Sequence, residues 1–274
     1  MIALRIGLGL IAAVLFLAFV GSARRVAQFC GWRAGREAPV WFHRLLCKIL
    51  RVRSRRFGTP SAAAKRLIVA NHVSWLDIPV LGAMEPMTFL AKKEIGGPFL
   101  GRQAALLQGV VFVDRQRRRT IPKVNDEMAE AMRAGEPLVL FAEATTSDGN
   151  RLLRFRSSHF QAILEAREKG GGDAFVQPVF LYYRRIAGMP IARIDRPTFA
   201  WYGEMTFIPH LWRMIFSGGI ACDVYYGDPL PVGADQDRKF LARAAEQAVR
   251  RLAKQAREAD RSPTQAIPAT PETG

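Results

Sequence analysis

The chain has 274 residues, enough for one sizeable domain with appendages, and 49% of them are apolar, which excludes wholesale disorder. Its 40 Lys and Arg against 24 Asp and Glu leave a formal charge of +16, so the expected partner is anionic, a membrane surface or a nucleic acid. Cys30, Cys47 and Cys222 lie too far apart to mark a disulfide framework or a zinc site, and the four histidines are too scattered to mark a metal cluster.

The first expected element is a membrane helix. Residues 6–23, IGLGLIAAVLFLAFVGSA, carry no charge and lie between Arg5 and Arg24-Arg25. Such a helix spans roughly 27 Å, close to a hydrocarbon core of about 30 Å. The expectation is a transmembrane anchor over residues 1–25. A cleaved signal peptide ending at Gly21-Ser22-Ala23 and a buried core helix are its rivals. From Arg24 to Arg66 there are twelve cations and one acid, Glu37. A basic flank after a span places the body of the protein on the cytoplasmic face of the cell membrane. Within residues 26–60, VWFHRLLCKILRVRSRRF has the periodicity of a basic amphipathic helix lying on anionic headgroups. A helix packed on the domain needs the same periodicity.

The body, residues 61–259, alternates two patterns. Apolar, β-rich runs occur at 66–70, 87–91, 109–113, 137–142, 175–183 and 222–227. Between them, TIPKVNDEMAEAMRAG puts Ile121, Val124, Met128 and Met132 on one helical face, with Gly135 as a stop. Strands alternating with helices predict an α/β domain with a mostly parallel central sheet flanked by helices. Residues 238–258 read as a closing surface helix, and the Pro/Thr-rich tail 260–274 as disordered.

Behind the first run stands NHVSWLD, residues 71–77. Ser74 and Asp77 have the spacing of a helix cap, Ser74 at the N-cap and Asp77 at N3, ahead of a helix WLDIPVLGAM. With His72 in the turn, a carboxylate at 77 can reach back to the imidazole at the carboxyl edge of the sheet, where open α/β sheets place their ligands. A carboxylate on one ring nitrogen fixes the tautomer and frees the other nitrogen as a general base. Capping alone also explains Ser74 and Asp77, and a lone turn histidine is often structural.

NHVSWLD has the N-H-x-x-x-x-D form of the glycerolipid acyltransferase family, whose best-known members are 1-acyl-glycerol-3-phosphate acyltransferases. Three further blocks resemble that family in order: GVVFVDR (109–115), FAEATTSDG (141–149) and VQPV (176–179). The resemblance covers residues 66–183. It implies transfer of an acyl chain from an acyl thioester, acyl-CoA or acyl carrier protein, to a lysolipid hydroxyl, most simply 1-acyl-glycerol-3-phosphate to give phosphatidic acid. His72 would be the base and Asp77 its orienting partner. Asn71, Arg115, Glu143, Thr145 and Thr146 would border the acceptor, with Arg115 near its anionic headgroup. Neither a metal nor a cofactor is implied. In the third block Ala142, Ala144 and Thr146 replace the usual Pro, Gly and Arg, so a bidentate phosphate ligand is lost. Arg151 or Arg154 could compensate, or the acceptor could lack a phosphate. VQPVFLYYRRIAGMP, FAWYGEM and PHLW are similar to the lyso-ornithine lipid acyltransferase branch, whose acceptor hydroxyl sits on an amide-linked fatty acid.

Other features have plainer readings. Asp114 is expected to tie its loop, and Arg117 to Arg119 to be solvated cations near the membrane. His159 reads as a pocket wall, having no spaced carboxylate partner, and His210 and Trp212 as lipid-facing or interface residues. The competing class is a membrane-tethered nucleic-acid binder. It requires cations interleaved with aromatics or a nucleic-acid fold, whereas here the cations gather beside the span, so no nucleic-acid partner is expected.

Overall fold

The computed structural model describes Gly7 and residues 34–92, 111–113 and 121–261. The chain runs through α1 (Ala34–Ile49), β1 (Val52–Phe57), β2 (Lys65–Ala70), α2 (Asp77–Gly82), β3 (Thr88–Lys92), β4 (Val111–Val113), α3 (Ile121–Arg133) and β5 (Leu138–Phe141). It continues through α4 (Gln161–Gly170), β6 (Ala174–Ile186), β7 (Met189–Pro190), α5 (Phe207–Phe216), β8 (Ile220–Tyr226), β9 (Leu230–Pro231) and α6 (Arg238–Arg261). All six apolar runs form strands.

The strands make one sheet in the order β1-β8-β6-β2-β5-β3-β4, with β7 and β9 paired to β6. Neighbours along that path are parallel except β6 and β8. The expected mostly parallel sheet is therefore mixed, because β1 and β8 run against the rest. Its central strands are apolar on both faces, as parallel strands between two helical layers must be. Leu67, Val69, Leu138 and Leu140 pack under α3, α4 and α6. Ile68, Ala70, Val139 and Phe141 pack under α1, α2 and α5. On the second side α1 and α2 touch closely: a Cβ at Gly82 would lie 2.2 Å from the buried His43 ring, so only glycine fits there.

The basic segment expected as one surface helix divides at Arg51, whose φ of 56° turns the chain. Beyond it, Val52–Phe57 is a strand and not a helix on headgroups, so the domain begins before residue 61. Its cations do not prevent pairing, because Val52, Ser54 and Phe57 are the buried positions and Arg55 meets a partner. Arg55 lies opposite Asp223 in register and binds it through two hydrogen bonds of 3.0 and 2.7 Å. Phe57 stacks on Tyr225 at 4.6 Å. At the other end α6 runs on through Arg261, taking in the first two residues of the expected tail. Among the described residues no helix is long and apolar enough to cross a membrane. The apolar segment 6–23, apart from Gly7, and the tail from 262 lie outside the described residues.

Candidate active site

The site begins where β2 ends. Past Ala70, the side chain of Asn71 imitates one more step of the ladder. Its Oδ1 accepts the Leu181 N–H at 2.8 Å and its Nδ2 donates to the Leu181 carbonyl at 3.2 Å. With both groups engaged by β6, Asn71 holds the strand end and turns the chain out of the sheet at His72. These two bonds give Asn71 a structural role at the edge of the site.

Asp77 opens α2 and folds its carboxylate back over the turn. Oδ2 accepts the backbone N–H groups of Val73 (2.7 Å) and Ser74 (3.0 Å) and the His72 Nδ1–H (2.8 Å). Oδ1 accepts the Tyr183 hydroxyl at 2.6 Å. Half of the expected cap is thus present. The other half differs: the Ser74 hydroxyl accepts from Leu76, and the Asp77 N–H goes to the Ser74 carbonyl. A tight turn through residues 74–77 therefore replaces the first helical turn, and α2 covers Asp77–Gly82 where 75–84 was expected.

The His72 ring lies flat on Phe141, the last residue of β5, at 4.1 Å and 13°. Its side chain is 13% exposed, while Asp77 is wholly buried. Nε2 has no hydrogen-bond partner among the described residues. An imidazole held at Nδ1 by a buried carboxylate, with Nε2 unpartnered among the described residues, is arranged to take a proton at Nε2 and return it.

Glu143 follows two residues after Phe141 and is also buried. Burial pushes its carboxyl up to about 8, against the opposing pull of the Leu153 and His72 amides, and the charge of Asp77 adds to the rise. Those amides lie near without completing hydrogen bonds: neither carboxylate oxygen has a partner among the described residues. The same loop is tied to the histidine turn, since Ser147 donates its N–H (2.9 Å) and hydroxyl (3.2 Å) to the His72 carbonyl.

An acyltransferase family model matches residues 53–182, which contain all of this constellation except Tyr183. A lyso-ornithine lipid O-acyltransferase of Brucella abortus is 42% identical over 224 residues, 81% of this chain and 83% of its own length. The protein of that name from Rhizobium meliloti is 36% identical, over 83% and 79%. The chain belongs to the acyltransferase family. A 1-acyl-sn-glycerol-3-phosphate acyltransferase of Neisseria gonorrhoeae is 34% identical over 67% of this chain and 68% of its own. The crystal structure of the 1-acyl-sn-glycerophosphate acyltransferase PlsC from Thermotoga maritima has the same fold. It superposes with a TM-score of 0.61 at 18% identity, covering 94% of this chain and 98% of that one.

The acyltransferase fold brings His72, Asp77 and Glu143 together from β2, α2 and the loop after β5. Thr145 is exposed and Thr146 half-buried on that loop. Ala144, standing where the family has glycine, keeps the left-handed conformation a glycine would take (φ 60°). Arg115, with Asp114 and Arg117 to Arg119, lies outside the described residues. Arg151 borders a cavity near the turn. The other histidines are inward. His159 Nδ1 meets Asn125 Oδ1 at 3.0 Å. His210 accepts from the Trp75 indole at Nδ1 and donates to the Ala200 carbonyl from Nε2, so it is buried and does not face lipid as expected. Burial also lowers its pKa. Tyr183 and Phe141 were not singled out from sequence. Tyr183 sits in the alternation of FVQPVFLYY, where a buried hydroxyl needs an acceptor.

Proposed function

We propose that this acyltransferase is a membrane-bound enzyme that esterifies the hydroxyl of lyso-ornithine lipid with an acyl chain from acyl-CoA or acyl carrier protein. The observation that carries the chemistry is the His72–Asp77 contact. Nε2 takes the proton of the acceptor hydroxyl as its oxygen attacks the thioester carbonyl. The tetrahedral intermediate then expels the thiolate, which recovers the proton from the imidazolium and leaves as a thiol, and the new ester remains. Asp77 orients the ring and stabilises its cationic form. These steps call on no metal and no cofactor.

The acceptor is where this reading departs from the phosphate acceptor expected first. Two relatives named for lyso-ornithine lipid align over about four-fifths of the chain at 36–42% identity, against two-thirds at 34% for the glycerophosphate relative. The replacement of the third-block arginine by Thr146 favours the same acceptor. Phosphatidic acid synthesis is the second reading, supported by that glycerophosphate relative. The membrane setting, on the cytoplasmic face, is supported by the basic flank after residues 6–23.

Purified full-length protein offered lyso-ornithine lipid and 1-acylglycerol-3-phosphate with one labelled acyl donor should prefer the former. His72→Ala should cut turnover by at least about a thousandfold with folding intact, within the range seen when a catalytic base is removed. Substantial residual turnover would remove the base role, and a preference for the phosphate acceptor would reverse the choice of substrate.

A further inference from the structure

One cavity beside the turn is not accounted for by the acid–base pair. It encloses about 240 Å³, and Arg151, Arg196, Arg257 and Arg261 line it with a single carboxylate, Asp260. That volume suits a polar headgroup and not an acyl chain. Among the described residues none of the four guanidinium groups forms a salt bridge. Arg257 donates to the Asn150 carbonyl at 3.3 Å. The Arg196 Nε is buried without a partner. A Cβ at Gly149 would lie 3.1 Å from Arg196 Nη1, so glycine there gives the arginine its place against the loop. Asp260 accepts the Tyr182 hydroxyl at 3.1 Å. The four cations repel one another, the one acid offsets only part of that repulsion, and a bound anion would relieve the rest.

The cleft adjoins the reacting pair. Asn71 and Val73, the chain neighbours of His72, form part of its wall, as does Tyr183, which holds Asp77. We infer that this cleft receives the anionic headgroup of the acceptor, with Arg196 and Arg257 as its principal partners and Asp260 as the counter-charge for an ammonium group. The inference rests on the acyl-transfer reading and deepens it. A guanidinium fork binds a carboxylate or a phosphate in two parallel hydrogen bonds, so the anion alone does not choose the acceptor. Asp260 does. A headgroup carrying both carboxylate and ammonium meets both signs of charge, whereas a phosphate monoester meets a carboxylate it must avoid. The cation missing at Thr146 is thereby supplied from β6–α5 and α6, outside the family's four blocks.

The test uses full-length Arg196→Gln, Arg257→Gln and Asp260→Asn with both lysolipids and one acyl donor. Each arginine variant should raise the KM of both acceptors about tenfold, the scale of one charge-assisted contact, with the donor KM within about twofold. Asp260→Asn should raise the KM of lyso-ornithine lipid and leave or lower that of the phosphate acceptor. A rise in donor KM alone would assign the cleft to the phosphates of the donor, and unchanged KM values would leave it without a substrate; either overturns the inference. Equal effects of Asp260→Asn on the two acceptors would overturn the role of Asp260. If Arg196→Gln fails to fold, the exposed Arg257 position still decides the matter. The two readings fail separately: residual turnover in His72→Ala sinks acyl transfer by His72, whereas loss of turnover there with unmoved acceptor KM values sinks the cleft alone.

Discussion

Asp77 accepts four hydrogen bonds, and only one of them comes from the imidazole. The two amide donors are part of the turn itself, so any sequence that folds this turn holds Oδ2 in place. Tyr183 is different, because it fixes Oδ1 from β6 and is the one donor a point substitution can remove cleanly. Tyr183→Phe should lower kcat about tenfold with acceptor and donor KM little changed, since the carboxylate keeps its charge and loses part of its aim. Stability should fall by about 1.5–3 kcal/mol, the usual worth of a hydrogen bond to a charged group. A KM-dominated effect would show that Tyr183 touches substrate. Glu143 offers a pH test. Its carboxyl rises from 4.5 to about 8 in the folded protein, so the native state binds that proton more tightly than the unfolded chain. Stability is then full below about 4.5 and is lost as pH rises through 8. The loss is on the order of 5 kcal/mol at most. Glu143→Gln should flatten that decline in chemical denaturation between pH 5 and 9, and a slope unchanged by the substitution would assign it to other groups. The His72–Asp77 pair was legible because five residues and a cap confine it to one turn. Tyr183 lies 106 residues from Asp77, and the burial of Glu143 depends on the sheet around it, so neither was visible locally.

Among the elements, β1 shows how the sheet edge is built from charge. Asp223 on β8 is 3% exposed and accepts from Arg55 on β1 and from Arg184 on β6, so one carboxylate joins three strands. Asp223→Asn leaves two guanidinium groups against a neutral amide, and removing one member of a buried charge cluster costs about 3–5 kcal/mol. Because Arg55 is 35% exposed and water can compensate it, the expected loss is about 2–3 kcal/mol in urea unfolding. A triple substitution that also replaces Arg55 and Arg184 with apolar residues should recover much of it. No loss in Asp223→Asn would mean that β1 is held by Val52 and Phe57 alone. This strand is also where sequence and structure part. The runs at 66–70 and 137–142 announce themselves because strands buried on both faces are continuously apolar. VRSRRF has cations at half its positions, and its strand character comes from a register partner 168 residues away. The same reason hides the reversed direction of β8, whose antiparallel pairing with β6 depends on the connection through α5 and not on composition. The short α2 was overestimated because the SWLDIPVLGAM pattern fits a helix from its first residue, and only the Asp77 carboxylate, turned back on His72, delays it.

For the molecule as a whole, the two helical layers differ in what they show to solvent. Six of the eight large apolar side chains that are exposed among the described residues fall between Met189 and Phe216, and a seventh, Trp41, is on α1. Only Phe240 belongs to α6, on the opposite layer. On α5, Trp212 stacks with Phe216 at 5.7 Å, both about half exposed or more, and Phe207 meets Trp75 edge-on at 5.2 Å. Trp75 lies in the turn between His72 and Asp77, so the apolar helix abuts the reacting pair. Patches of this kind mark interaction surfaces, and aromatic side chains suit the polar–apolar boundary of a bilayer. If α5 seats the site on the lipid surface, it matters when the acceptor must be taken from a bilayer and not when it is dispersed in micelles. Trp212→Ser with Phe216→Ser should therefore reduce activity on acceptor held in anionic vesicles about tenfold, while activity in detergent stays within about twofold. That loss corresponds to roughly 1.4 kcal/mol, well below the full transfer energy of two aromatic rings, as partial immersion requires. Phe240→Ser should change neither assay. The comparison is independent of how residues 6–23 are held, because the same full-length protein is used throughout. Equal losses in vesicles and detergent would show a folding defect, and no loss in vesicles would leave α5 without a membrane role.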